Sequence, residues 1–196
     1  RPHLRRRQVL KANPMRPVTA ALFSSVDGVV EAPNLFQFDH FDADMGPLMG
    51  QALSGADAVV MGRQTYDEWS QYWPTSPGDP FGDFINPIRK YVASSTLTDP
   101  LAWNNSTVIP GDAVDFVREL KQTDGGGILV TGSISLVRQL FLAGVLDRLT
   151  LMVHPVIAGA GLRHLFDAND DTTRLALVDH TITESGNAAL TYALRS

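Results

Sequence analysis

Cysteine is missing altogether from the 196 residues. That excludes a disulfide framework, a thiol nucleophile and any cysteine-ligated zinc or iron–sulfur site, and it fits a reducing cytoplasm. Long apolar runs are also missing: none approaches the roughly 20 residues of a membrane span. Excess positive charge is missing too. Sixteen Lys and Arg against 21 Asp and Glu leave a net charge of −5, where a nucleic-acid binder carries a basic face. The familiar nucleotide signatures do not occur either. There is no G-x-x-x-x-G-K-[ST], and no G-x-G-x-x-G opens a helix. Ser133 lacks the G-x-S-x-G of a hydrolase elbow.

What is present reads as one soluble α/β domain, residues 18–196, behind a basic arm. Residues 1–17 hold five arginines and Lys11, with no apolar core of a signal peptide after them. Strands are expected over 18–26, 56–61, 90–94, 107–109, 128–131 and 149–157, several of them apolar throughout, as in a sheet covered on both faces. Helices are expected over 44–53, 64–69, 112–122 and 133–143. In the first of these, Met45, Leu48, Met49, Ala52 and Leu53 form one stripe with Asp44 as N-cap. Gly125 to Gly127 are expected to end the third helix as a left-handed cap. The segment 70–87, with four prolines, reads as a long irregular rim. Extended runs 175–184 and 189–194 joined at Ser185-Gly186-Asn187 read as a hairpin. The expected architecture is three-layer, a mostly parallel sheet between helices with an antiparallel hairpin at its end.

Two strand-to-helix junctions carry candidate chemistry. In Val59-Val-Met-Gly62-Arg63-Gln-Thr65 and in Ile128-Leu-Val-Thr-Gly132-Ser133-Ile134, a buried strand meets a glycine and a helix starts with hydroxyl or guanidinium groups. Free N–H groups and the dipole at a helix start suit a phosphate. Taken alone, each junction reads first as a very common tight turn with a hydroxyl cap; two in one α/β domain strengthen the phosphate reading, because a dinucleotide offers a pyrophosphate. Asp39, His40, Asp42 and Asp44 have ligand-type side chains without a calcium-loop spacing; a solvated acidic loop is expected there and no metal. His154 reads as a core or interface histidine.

The ordered set Ser25-Val-Asp27-Gly28, Met61 to Tyr66, Arg89 to Ser95, Val130 to Ser133, and Pro155 to Gly161 followed by Leu165-Phe166 resembles the dihydrofolate reductase superfamily. It is most similar to the C-terminal reductase domain of the riboflavin-biosynthesis deaminase-reductase and its stand-alone relatives. The resemblance implies a cytoplasmic NADPH-dependent reductase of a small heteroaromatic or carbonyl substrate, and commonly a homodimer. It places Gly62, Arg63 and Thr65 on the cofactor's pyrophosphate and adenosine phosphate, Ser94 and Ser95 by the ribose 2′-phosphate, and Gly132 and Ser133 at the pyrophosphate end. Arg63 among hydroxyls suits a phosphorylated ribose, where NAD recognition uses a carboxylate. Asp27 at the end of the first strand and Asp44 at the first helix are the candidate catalytic carboxylates, each with a local alternative as turn former and N-cap. The other functional reading is a nucleotide-binding homodimer of the same fold without catalysis.

Overall fold

The computed structural model describes residues 15–159 and 161–195. Eight strands form one sheet: β1 Val18–Ser24, β2 Ala56–Gly62, β3 Arg89–Ala93, β4 Ser106–Val108, β5 Gly127–Val130, β6 Arg148–Val153, β7 Leu175–Ile182 and β8 Ala188–Leu194. Their spatial order is β4-β3-β2-β5-β1-β6-β8-β7. Only β8 runs against its neighbours, so the expected mostly parallel sheet with a terminal antiparallel hairpin is what forms. Helices α1 Met45–Leu53, α2 Arg63–Tyr72, α3 Pro80–Ile85, α4 Ala113–Leu120 and α5 Ile134–Leu142 cover it.

The apolar strands are buried on both faces because helices lie on both. Ala58, Val60, Ile128 and Val130 point to one face and pack with Val117 of α4 and Leu136, Val137, Leu140 and Phe141 of α5. Their strand neighbours Val59, Met61 and Leu129 point the other way and meet Tyr66 of α2, Ile85 of α3 and Trp103. On that second face Met45 of α1 packs with Met152 and Ala189. The side-chain period of two therefore feeds two cores from one strand.

This layout fixes where the chain can bind something. The crossover from β2 leads outward to β3, whereas the crossover from β5 leads the opposite way, past β1 to β6. Connections of one hand put the intervening helices on opposite faces. The crevice outside the carboxyl ends of β2 and β5 is thus a topological switch point, the usual ligand site of open α/β sheets.

Four local expectations are revised. The rim at 70–87 contains a 3-10 turn, Trp73–Thr75, and helix α3. Asp79 caps α3 by accepting from the N–H groups of Phe81 (2.8 Å) and Gly82 (3.3 Å), with Pro80 in the first turn. Gly125 to Gly127 do not cap α4, which ends at Leu120. They make room instead, since a Cβ on Gly125 would lie 2.8 Å from the Arg16 guanidinium. The strand expected over 149–157 ends at Val153 and is interior, between β1 and β8; the edges are β4 and β7. Asp44 precedes α1 with helical backbone angles and makes no capping bond.

Most of the basic arm lies outside the described residues, but its end is docked. The buried Arg16 guanidinium pairs with Asp57 and donates to the Gly126 carbonyl (2.7 Å) and the Thr123 hydroxyl (3.1 Å). Among the described residues no helix is long and apolar enough to cross a membrane.

Candidate functional site: the glycine turns at the carboxyl edge

β2 and β5 are hydrogen-bonded neighbours with Val60 opposite Val130. Two residues further on, their turns touch. The Gly62 N–H donates to the Gly132 carbonyl at 2.8 Å. A Cβ on Gly62 would stand 2.7 Å from the Ser133 hydroxyl and 3.0 Å from its nitrogen, and a Cβ on Gly132 would stand 2.7 Å from the Thr65 hydroxyl. Gly132 also has φ +132 and is joined to Ser133 by a cis peptide. The structure therefore brings Gly62, Thr65, Gly132 and Ser133 into one contact group. α2 and α5 both start there, and neither has a side-chain cap. Two positive helix ends with unpaired N–H groups converge on one edge.

The remaining cofactor candidates lie beside this pair. Ala93 is opposite Gly62 in the β2–β3 register, so Ser94 and Ser95 continue along the same edge. The Ser94 hydroxyl accepts from Thr96 N–H (3.1 Å) and Leu97 N–H (3.0 Å) and shapes the turn, while Ser95 is exposed. Arg63 projects into solvent from the first turn of α2, with Asp67 one turn on at 2.7 Å as its only ion pair among the described residues. Such an exposed i,i+4 pair is weak, a few tenths of a kcal/mol, so the guanidinium is free to exchange it for a phosphate.

The two carboxylates are engaged elsewhere. Asp27 accepts from the backbone N–H groups of Ala158 and Gly159, both at 2.9 Å, and ties the first loop to the segment after β6. The Ser25 hydroxyl, followed by those two N–H groups, holds its carboxyl down at about 2. An ionised carboxylate with both oxygens bonded has no proton to give near neutrality. Asp44 accepts from Glu184 N–H at 3.2 Å, and Asp42 from Ser185 N–H at 3.0 Å. Asp42 also takes the Asp44 N–H (3.1 Å), and the Thr183 hydroxyl is the main reason its carboxyl is lowered to about 2. The acidic loop thus clasps the β7–β8 turn, which is why Asp44 does not cap its own helix. Neither carboxylate joins the glycine turns.

Sequence reasoning passed over Thr131, whose buried hydroxyl has no partner one residue before Gly132. It also gave no role to the ring cluster at the ends of β1 and β6, where residues 33–41 fold over Phe23 and His154. The only sequence signal was the Val-His-Pro break at the end of an apolar strand. A separate groove of about 240 Å³, lined by Gln51, Arg148, Thr150, His180 and Thr191 among others, opens near the amino ends of β1 and β6. It holds none of the candidate residues.

A dinucleotide fits what the carboxyl edge offers: two turns packed together with no room for a Cβ at either glycine, two uncapped helix ends, and an orphaned hydroxyl at Thr131. Known proteins point the same way in fold. The chain is 28% identical over 183 residues to the uncharacterized protein YyaP of Bacillus subtilis (strain 168), covering 90% of this chain and 94% of that one. A structure from Shewanella sp. PV-4, provisionally assigned to riboflavin biosynthesis, superposes with a TM-score of 0.68 at 16% identity, over 92% of this chain and 99% of the other. A pyrimidine reductase-like protein of Corynebacterium diphtheriae gives 0.64 at 18% identity, over 92% of both chains. RibD of Acinetobacter baumannii gives 0.65 at 15% identity, over 93% of this chain but 59% of that longer one. Residues 16–189 match the family model of the RibD C-terminal domain, and the chain belongs to that family.

Proposed function

We propose that this protein is an NADPH-dependent reductase that transfers a hydride to a small heteroaromatic or carbonyl substrate, of the kind reduced by 5-amino-6-(5-phosphoribosylamino)uracil reductases or dihydrofolate reductases. The observation that carries this reading is the contact between the turns at Gly62 and Gly132 at the switch point of the sheet. NADPH supplies the hydride when bound. The backbone N–H groups that open α2 and α5 hold its pyrophosphate, and the two missing Cβ atoms let the turns pack together so that both helix starts face it. Arg63, with Ser94 and Ser95 one strand over, takes the ribose 2′-phosphate. Residues 33–41 shield the nicotinamide end from water. The site would work in the cytoplasm, in keeping with a chain that has no cysteine.

NADPH quenching of tryptophan fluorescence tests the binding half. Loss of nicotinamide absorbance with dihydrofolate, pyrimidine or quinone substrates tests the catalytic half. Tight NADPH binding with no turnover on any of them would favour the non-catalytic nucleotide-binding homodimer. Arg63→Ala is expected to weaken NADPH roughly tenfold or more and leave NADH within about twofold, since a charge-assisted bond to the extra phosphate contributes about 1.5–3 kcal/mol. Equal weakening of both would remove Arg63 from the 2′-phosphate.

The homodimer implied by the family likeness would most simply form through an exposed sheet edge. β7 is one of the two edge strands of the sheet, and Leu177, Val178 and Ile182 on it are exposed. Sedimentation at micromolar concentration is expected to give a dimer; a monomer there would refute it.

A further inference from the structure

Beyond β1, on the side away from the glycine turns, the carboxyl edge carries a second polar feature. His154 follows β6, its N–H bonded to the Ser24 carbonyl at 2.8 Å, and its side chain is wholly buried. The ring lies near-parallel to Phe23 (5.5 Å between centroids, 19°) and to His40 (6.4 Å, 24°), with Phe36 edge-on at 6.1 Å. Its Nδ1 is 2.7 Å from Asn187 Oδ1.

Asn187 settles which ring nitrogen carries the proton. Its Nδ2 donates to the His40 carbonyl (2.7 Å), to the Thr183 hydroxyl (3.0 Å) and, more distantly, to the Asp42 carboxylate (3.4 Å). A carbonyl and a carboxylate only accept, so the amide is oriented with its oxygen toward the ring. Nδ1 must therefore donate, and in the neutral ring Nε2 is left as a bare acceptor. That nitrogen is buried and has no partner. Gln37 Oε1, on the loop that covers it, is another buried acceptor without a partner. Each such orphan costs about 1–3 kcal/mol. The same loop turns Leu35 and Phe38 outward, 69% and 65% exposed. A cover that shows Leu35 and Phe38 to water while Phe36 and His40 close over an unpaired acceptor suits a third party: a flat ring carrying N–H or O–H donors.

We propose that His154 contacts the substrate, its Nε2 accepting a hydrogen bond from a ring N–H or O–H when residues 33–41 lift, with Asn187 as the positioning residue that fixes the tautomer. That the ligand is a substrate rests on the reductase reading above; the donor-accepting role of His154 does not.

The test uses the full chain with ¹⁵N-labelled histidine at about pH 8, above the ordinary histidine range. The resting protein is expected to show His154 protonated on Nδ1 alone. Uracil, which has N–H donors, is then expected to move the Nε2 resonance, while 1,3-dimethyluracil, of similar shape without them, leaves it in place. His154→Phe, which keeps the stacking, is expected to weaken uracil at least about tenfold and leave NADPH quenching unchanged. Asn187→Ala is expected to release a mixture of tautomers, a signature that a purely structural asparagine would not give. A resting proton on Nε2, or a response to both probes or to neither, overturns the role of His154. Absence of NADPH quenching in the wild type overturns the reductase reading instead, and the uracil pair still decides the role of His154.

Discussion

Gly132→Ala is expected to weaken NADPH binding by about a hundredfold or more. At φ +132 an alanine is strained by about 1–3 kcal/mol, and its methyl would stand 2.7 Å from the Thr65 hydroxyl. Relief requires the Gly132 turn and the first turn of α2 to part. That misdirects N–H groups on both sides, and each charge-assisted bond lost counts about 1.5–3 kcal/mol. Gly62→Ala separates strain from shape. Its backbone is ordinary, φ −80, but the new methyl would press on Ser133 at 2.7 Å from the hydroxyl and 3.0 Å from the nitrogen. It is expected to lose most of the binding at a smaller cost in melting temperature than Gly132→Ala. Fluorescence titration together with thermal melts reads both. Wild-type affinity in either folded variant would take the pyrophosphate away from these turns.

Lys90→Met is expected to destabilise the protein by about 3–5 kcal/mol without touching the cofactor edge. Lys90 is fully buried at the second position of β3, and its ammonium donates to the carbonyls of Ile85, Asn86 and Ile88 at 2.8–2.9 Å. It also lies 4.5 Å from the Trp103 ring centroid. One cation thus closes the end of α3 and the loop into β3, and methionine would leave three carbonyls unpaired. Burial lowers the ammonium from 10.5 to about 8. Between those values the unfolded chain binds more protons than the folded one, so this group's contribution to stability rises with pH through that window. Relative to Lys90→Met, the wild type should gain up to about 3 kcal/mol from pH 8 to 10.5 in urea unfolding. A flat difference across that range would mean that the carbonyls and the ring offset the burial.

Strands β2 and β5 were readable because burial on both faces leaves unbroken apolar runs, Val59-Val-Met and Ile128-Leu-Val. The glycines that end them were readable as tight strand-to-helix turns. Their contact was not contained in either segment, because it depends on β2 and β5 being neighbours although six elements of chain fold between them. Helix α3 was missed since Pro74, Pro77, Pro80 and Pro87 read as rim, whereas the Asp79-Pro80 pair is itself a helix start. Asp44 misled for a different reason. A local cap competes with partners that no local pattern shows, and here the hairpin N–H at Glu184, 140 residues away, wins. Gly125 belongs to the same class, its lack of a side chain making room for Arg16 and Asp57. The orphaned Nε2 of His154 becomes visible only once Asn187 is seen to face Nδ1.

The most direct test is to map NADPH onto the backbone amides of the ¹⁵N-labelled protein by titration. The largest and earliest shifts are expected at Arg63, Gln64 and Thr65 and at Ser133, Ile134 and Ser135, the two helix starts moving together with one dissociation constant. Shifts confined to the groove around Arg148, Thr150 and His180, or at one helix start without the other, would contradict a dinucleotide held by the two helix starts that follow Gly62 and Gly132.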